Sequence, residues 1–356
     1  MPCTADVDAF DYISSLYDSP WEWMPYGAKY TRLLISHIDR WVAHPSFALD
    51  NSLLKQSLKQ AANDGANWLW HPCISAIFTE VSAPQRDLQL AVWVAINCAD
   101  YDDRALIVEP MQVWVGSKAV NIERGNAVLK ELTKYGTQNI LSPDVWCESI
   151  GEEIESSWAS QPPTSMSEQK QLQADLLHLV RALDLLHTKH QKCARWLSEA
   201  VRIIIPLHAQ DSESFRSGSS PRLPGLVECD CQSELQVLEA LVHEAAHLYL
   251  YRYELASPLV DPAHDRRYES PLRSEPRPLR GILLAYHALA FIACLYRDVL
   301  DLGLFSKHKI ISDEHEQIVL LALEAERTLL SQSIALTSLG IKIFESTSYV
   351  LKYSLR

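Results

Sequence analysis

In the stretch Ala240 to Leu250, ALVHEAAHLYL, two histidines and a glutamate interrupt an otherwise uncharged run. A helix repeats every 3.6 residues, so His243 and His247, four apart, share one face, with Glu244 at its edge. Two imidazoles one turn apart can take neighbouring positions on a single metal ion. A glutamate beside them can reach a metal-bound water and serve as general base, as in zinc peptidases. The bland alternative is a core helix whose histidines are simply hydrogen-bonded. That helix must bury two imidazoles and a carboxylate within little more than one turn, which is costly unless every group is paired. A metal site is the expectation adopted here.

Two histidines leave the site incomplete, because a protein site of this kind draws at least three ligands from the chain. His287 is the first choice for the third. It sits in GILLAYHALAFIACLY, sixteen uncharged residues between Arg280 and Arg297. An imidazole there needs a partner, and a metal supplies one. His264, Asp265, Glu269 and Glu275 are the other candidates. The histidines of HLVRALDLLH and HTKH, among them His187 and His190, read as solvated or helix-face residues.

The motif needs a helix to carry it. Ser233 and Gln236 have the spacing of a capping box, which predicts a helix from about Glu234 to Leu255, stopping before Pro258. A second helix is expected to begin near Pro278 and include the apolar run. A third should start near Asp313, with Ser312 as cap and Gly340 at its end. Upstream, EQKQLQADLLHLVRALDLLHTKHQKCARWLSEA reads as one long helix. VRIIIPLHA and the end of RSGSSPRLPGLVEC read as two strands of one sheet. LQLAVWVAI and ALIVEPMQVWVGS also read as strands, NAVLKELTKYG as a short helix capped by Gly136, and most of residues 1–80 as helical. The fold class expected is mainly α with a small β-sheet (α+β), with a zincin-like helix carrying the motif. Residues 1–150 form an N-terminal region of helices and strands. Residues 151–168, polar with a Pro-Pro pair, form a loop or linker, and residues 169–356 form the metal-binding region.

Composition narrows the class. The 356 residues carry a formal net charge of −13. An acidic chain has no general attraction for phosphate backbones, so nucleic acid is not an expected partner. The sixteen-residue run is short for a bilayer span, so no membrane association is expected. The eight cysteines include several in apolar surroundings, and the N-terminus, MPCTADVDAFDY, lacks the apolar core of a signal peptide. A reduced, cytoplasmic protein is expected. The ECDC element lacks the second pair that a zinc finger would need.

The order of segments resembles the HExxH-type peptide β-hydroxylases, which modify ribosomally made precursor peptides with iron(II) and 2-oxoglutarate. RALDLLHTKHQKCARWLSEAVRIIIPL is similar to that family's helix and strand, and RSGSSPRLPGLVEC to its Ser- and Gly-rich segment. EALVHEAAHLYLYRY is similar to its metal helix, and YESPLRSEPRPLRGILLAYHALAFI to its Arg-Pro segment and following helix. The resemblance covers about residues 170 to 300. It implies that His243 and His247 bind iron(II), with His287 in a suitable helix for a third ligand and Glu244 beside the metal. It also requires an arginine for the distal carboxylate of 2-oxoglutarate. Arg277 is the first choice, with Arg273 and Arg280 behind it.

Two enzyme readings follow. One is hydroxylation of a side-chain β-carbon in a precursor peptide, with iron(II) and 2-oxoglutarate. The other is a zinc metallopeptidase with Glu244 as base. A peptide-binding protein with a vestigial site is a third. The partner expected is a peptide, laid as an extended strand along a free sheet edge near VRIIIPL and LPGLVEC.

Overall fold

The computed structural model describes residues 111–115, 118–123, 126–131, 133–135, 138–140, 166–201, 203–207, 217–221, 225–254, 257–306 and 308–356. The helices expected over residues 1–80, the LQLAVWVAI strand and 151–165 of the loop expected at 151–168 lie outside these, and the end of that loop, 166–168, is the first turn of a helix. The chain divides into two compact units, one comprising 24–181 and 201–234, the other 1–23, 182–200 and 235–356.

The first unit holds two of the three sheets among the described residues. Strands β1 (Met111–Val115), β2 (Lys118–Glu123) and β3 (Asn126–Glu131) form an antiparallel meander. Strands β4 (Thr133–Tyr135), β5 (Gln138–Ile140), β6 (Ile203–Leu207), β7 (Ser217–Ser219) and β8 (Leu226–Asp230) form a sheet of order β4-β5-β6-β8-β7. NAVLKELTKYG is therefore strand, not the expected helix. Every residue of β3 is paired with β2, from Lys118 with Glu131 to Glu123 with Asn126, and those partners override its helical propensity. The two strands expected to be neighbours, β6 and β8, are parallel partners. Each has a neighbour on both sides, β5 along Ile203 and Ile204 of β6 and β7 along Val227 to Cys229 of β8. Cys229 and Cys231 approach to 3.9 Å between sulfurs at the buried end of β8, and both are free thiols.

The long helix bends into two. Helix α1 spans Met166–Lys189 and α2 spans Gln191–Ala200, broken at His190. The earlier part of α1 belongs to the first unit, where His178 and Arg181 reach Glu234 at 3.1 and 3.5 Å. The break carries a buried polar cluster in the second unit. The Cys193 amide donates to Nδ1 of His190, so Nε2 carries the proton and donates to Asp298 at 2.7 Å. The Tyr353 hydroxyl donates to the other Asp298 oxygen at 3.0 Å. His190 is thus a buried structural residue rather than a solvated one.

The described part of the second unit is mainly helical with one small sheet. Its elements after α2 are α3 (Glu234–Glu254, its first residue in the other unit), β9 (Arg267–Ser270), β10 (Arg273–Pro278), α4 (Leu279–Asp301), α5 (His308–Ser331) and α6 (Ser338–Ser354). Helix α4 is the axis of this unit. From Ile282 to Tyr296 every residue is buried. Among the described residues it is the one helix long and apolar enough to cross a membrane, and 89% of its apolar window is buried in protein. One side of α4 meets α5 and α6: the Tyr286 hydroxyl donates to Glu326 at 2.9 Å, and its ring lies 5.5 Å from that of Phe344. Helix α5 begins at His308, earlier than the expected start near Asp313, and ends at Ser331. Gly340 does not terminate it. Gly340 lies in the first turn of α6, where its amide donates to the capping Thr337 hydroxyl.

Candidate functional site

Helices α3 and α4 run antiparallel, and three side-chain pairings fix their register. At one end Arg280 makes a two-pronged pair with Glu254. At the other, the Tyr296 hydroxyl donates to Glu239 at 2.7 Å. Between them the His287 ring bonds to the Ala246 backbone. This register sets His287 opposite His247. The pair is backed by α2, whose Trp196 stacks between Tyr249 at 5.1 Å and Phe291 at 4.6 Å. The Tyr249 hydroxyl also donates to the Trp196 carbonyl, and Arg252 donates to that of Ala200 at the end of α2. Large buried rings on three helices thus hold the histidine-bearing segments in place.

On α3 the expected face is present. The rings of His243 and His247 are 4.6 Å apart and mutually perpendicular, and the Tyr251 ring lies 6.1 Å from that of His247. Both histidines keep part of their surface exposed. Nδ1 of His247, however, is enclosed and has no hydrogen-bond partner among the described residues. Burial, aided by His243, His287 and Arg280, holds the His247 imidazole well below its ordinary pKa. His287 is buried beside Phe291, 4.8 Å between rings, and burial lowers its pKa to about 3. Both rings are therefore neutral near pH 7, as a nitrogen ligand must be. Glu244 is buried, 3% exposed, and engaged in interactions of its own.

The other expected candidates fall elsewhere. Asp265, Glu269 and Glu275 are exposed on or beside the β9–β10 hairpin. His264 meets the Tyr268 hydroxyl at 2.8 Å. Arg273 and Arg277 are exposed on β10. Of the three arginines considered, Arg280 is the one whose charge acts on His247. Its guanidinium also lies 5.9 Å from the Tyr251 ring centre, and the Glu254 hydrogen bond holds its pKa above the usual range. Among the described residues, no three His, Cys, Asp or Glu side chains are already arranged as a metal cage.

Sequence reasoning missed the rest of this face. Glu239 lies one turn before His243 and Tyr251 one turn after His247, so helical spacing alone places them in the stripe. Burial raises the Glu239 pKa, opposed by the Tyr296 hydrogen bond and the nearby His243. Tyr296 also reaches Glu314 of α5 at 3.2 Å. No local pattern announces that contact. No family model and no curated protein matches the chain.

Proposed function

We propose that this protein is an iron(II)- and 2-oxoglutarate-dependent hydroxylase of a side-chain β-carbon in a ribosomally made peptide, with a zincin-like helix as its metal-bearing element. The observation that supports the reading is the pairing of His243 and His247, rings 4.6 Å apart on one face of α3, with an enclosed, unbonded nitrogen on His247 and His287 of the neighbouring α4 close enough to act on its charge. Neutral imidazoles suit iron(II), and three of them leave positions for a bidentate oxoacid and oxygen. Bound there, the metal would supply the oxidation of the peptide carbon. The chain's own part is positional. A ring held by a backbone carbonyl, as His287 is by Ala246, presents its other nitrogen in a fixed direction. Arg280, whose charge acts on His247, would meet the distal carboxylate of the oxoacid, with Glu254 as the partner it exchanges.

The zinc peptidase reading rests on the motif itself. It needs Glu244 free to act on water, whereas Glu244 is buried and already engaged. Incubation of candidate peptides with protein, iron(II), 2-oxoglutarate and oxygen, followed by mass spectrometry, separates the two. The expected product is heavier by one oxygen atom, its backbone intact, and lost in His243→Ala and His247→Ala together with bound iron. Backbone cleavage with zinc, abolished by Glu244→Gln, would instead establish the peptidase.

A further inference from the structure

The hairpin of β9 and β10 leads directly into α4, and nothing above has given it a task. All six residues of β10 are exposed, and β9 alternates between exposed and half-buried. Arg266, Arg267, Arg273 and Arg277 fall within twelve residues that also hold Glu269 and Glu275, a net charge of about +2 on a chain whose net charge is −13. The Arg267 guanidinium is partly committed, since it donates to the Pro276 carbonyl at 3.1 Å and ties the strands together. The backbones of Arg273 and Arg277 pair with Ser270 and Tyr268 in the hairpin, and both residues are exposed. With Arg267 they line an open groove of about 630 Å³, where three arginines outnumber one carboxylate, Glu275, with Ser274, Pro276 and Pro278 completing the lining.

We propose that this groove binds a short acidic segment of an extended peptide, by guanidinium-to-carboxylate pairing. The chemistry follows from the residues. Arginine presents a planar fork that matches a carboxylate. Pro276 and Pro278 take two amide donors from β10, which blunts strand addition there and leaves recognition to side chains. A long polyanion, such as nucleic acid, would meet the repulsion of the acidic chain beyond this patch, while a segment of a few carboxylates would not.

Position links the groove to the histidines, and this link rests on the function proposed above. Arg277 precedes α4 by two residues, and His287 lies eight residues into the helix from Leu279. That is about 12 Å along the axis, which about four residues of extended peptide span. The acidic segment therefore sits at least about four residues from the carbon that is modified.

Binding is measured on the full chain, without metal, by fluorescence anisotropy of labelled twelve-residue peptides at low and at 0.5 M salt (roughly the range over which exposed pairs are screened). The probes carry a central block of Glu, of Gln or of Lys, and a single-stranded oligonucleotide of equal length is the fourth. The expected result is binding of the Glu peptide, weakened about tenfold in the double variant Arg273→Glu, Arg277→Glu and by salt. The charge-preserving pair Arg273→Lys, Arg277→Lys, which tests for a folding defect, should retain part of the affinity. Equal binding of the Gln peptide, unchanged affinity in the charge-reversed variant, tighter binding of the oligonucleotide, or no binding of any probe would each overturn the proposal. Iron binding by the same variants is measured separately. Its retention with loss of peptide binding supports the groove, and its absence in the parent chain counts against the metal site and not against the groove.

Discussion

Arg277 and Arg280 are three residues apart and have different surroundings. Arg277 is on an exposed strand, whereas Arg280 is in the first turn of α4, paired with Glu254 and acting on His247. Arg280→Ala should leave iron bound but raise the 2-oxoglutarate needed for half-maximal turnover, through loss of a charge-assisted pair of about 2 to 3 kcal/mol. Arg277→Ala should leave that requirement unchanged and raise the peptide concentration needed. Steady-state titration of each substrate checks both, and the reverse pattern would return the oxoacid to Arg277. The sequence made His243 and His247 legible because a four-residue spacing is local. It could not separate the arginines, since their surroundings depend on where β10 stops and α4 begins. Pro278, the residue before the helix, sets that boundary.

At the scale of elements, the helices α3 and α4 were readable, because the apolar pattern of each lies within its own segment. The errors fell where a distant partner decides the outcome. The α1–α2 region has unbroken helical periodicity, yet it breaks at His190, which bonds Asp298 from 108 positions away. Gly340 has the composition of a helix end, but its role is steric. A Cβ at Gly340 would lie 2.0 Å from the carbonyl oxygen of Leu259. That carbonyl is fixed, accepting from the Thr337 amide at 3.0 Å, and the Thr337 hydroxyl donates to Pro258 at 2.8 Å. Gly340→Ala must therefore push the 258–260 segment away from α6. It should destabilise the protein by about 3 kcal/mol, despite the usual helix preference for alanine. Urea unfolding measures this, and a neutral or stabilising result would show that the segment can move.

The second compact unit is assembled from separated stretches of chain, with 182–200 joined to 235–356, and such non-local assembly leaves no composition break to read. Its shared core makes the imidazoles of α3 and α4 part of its stability as well as its site. In the metal-free chain His287 is buried with a pKa of about 3, against an ordinary value of 6.5. Between those values the unfolded chain binds a proton that the folded chain does not. Stability is therefore present in full above about pH 6.5 and falls as pH drops toward 3, by about 1.4 kcal/mol per pH unit for this one group. Carboxylates titrate over the same range, so the contribution is read as a difference between two proteins. Relative to the parent, His287→Leu should lose less stability between pH 7 and pH 5, by about 2 kcal/mol, because the unfolded state no longer gains that proton. Urea midpoints of both metal-free proteins at pH 7, 6 and 5 test it. Parallel losses would mean that the His287 ring admits a proton in the folded state, and so is not sealed between α3 and α4.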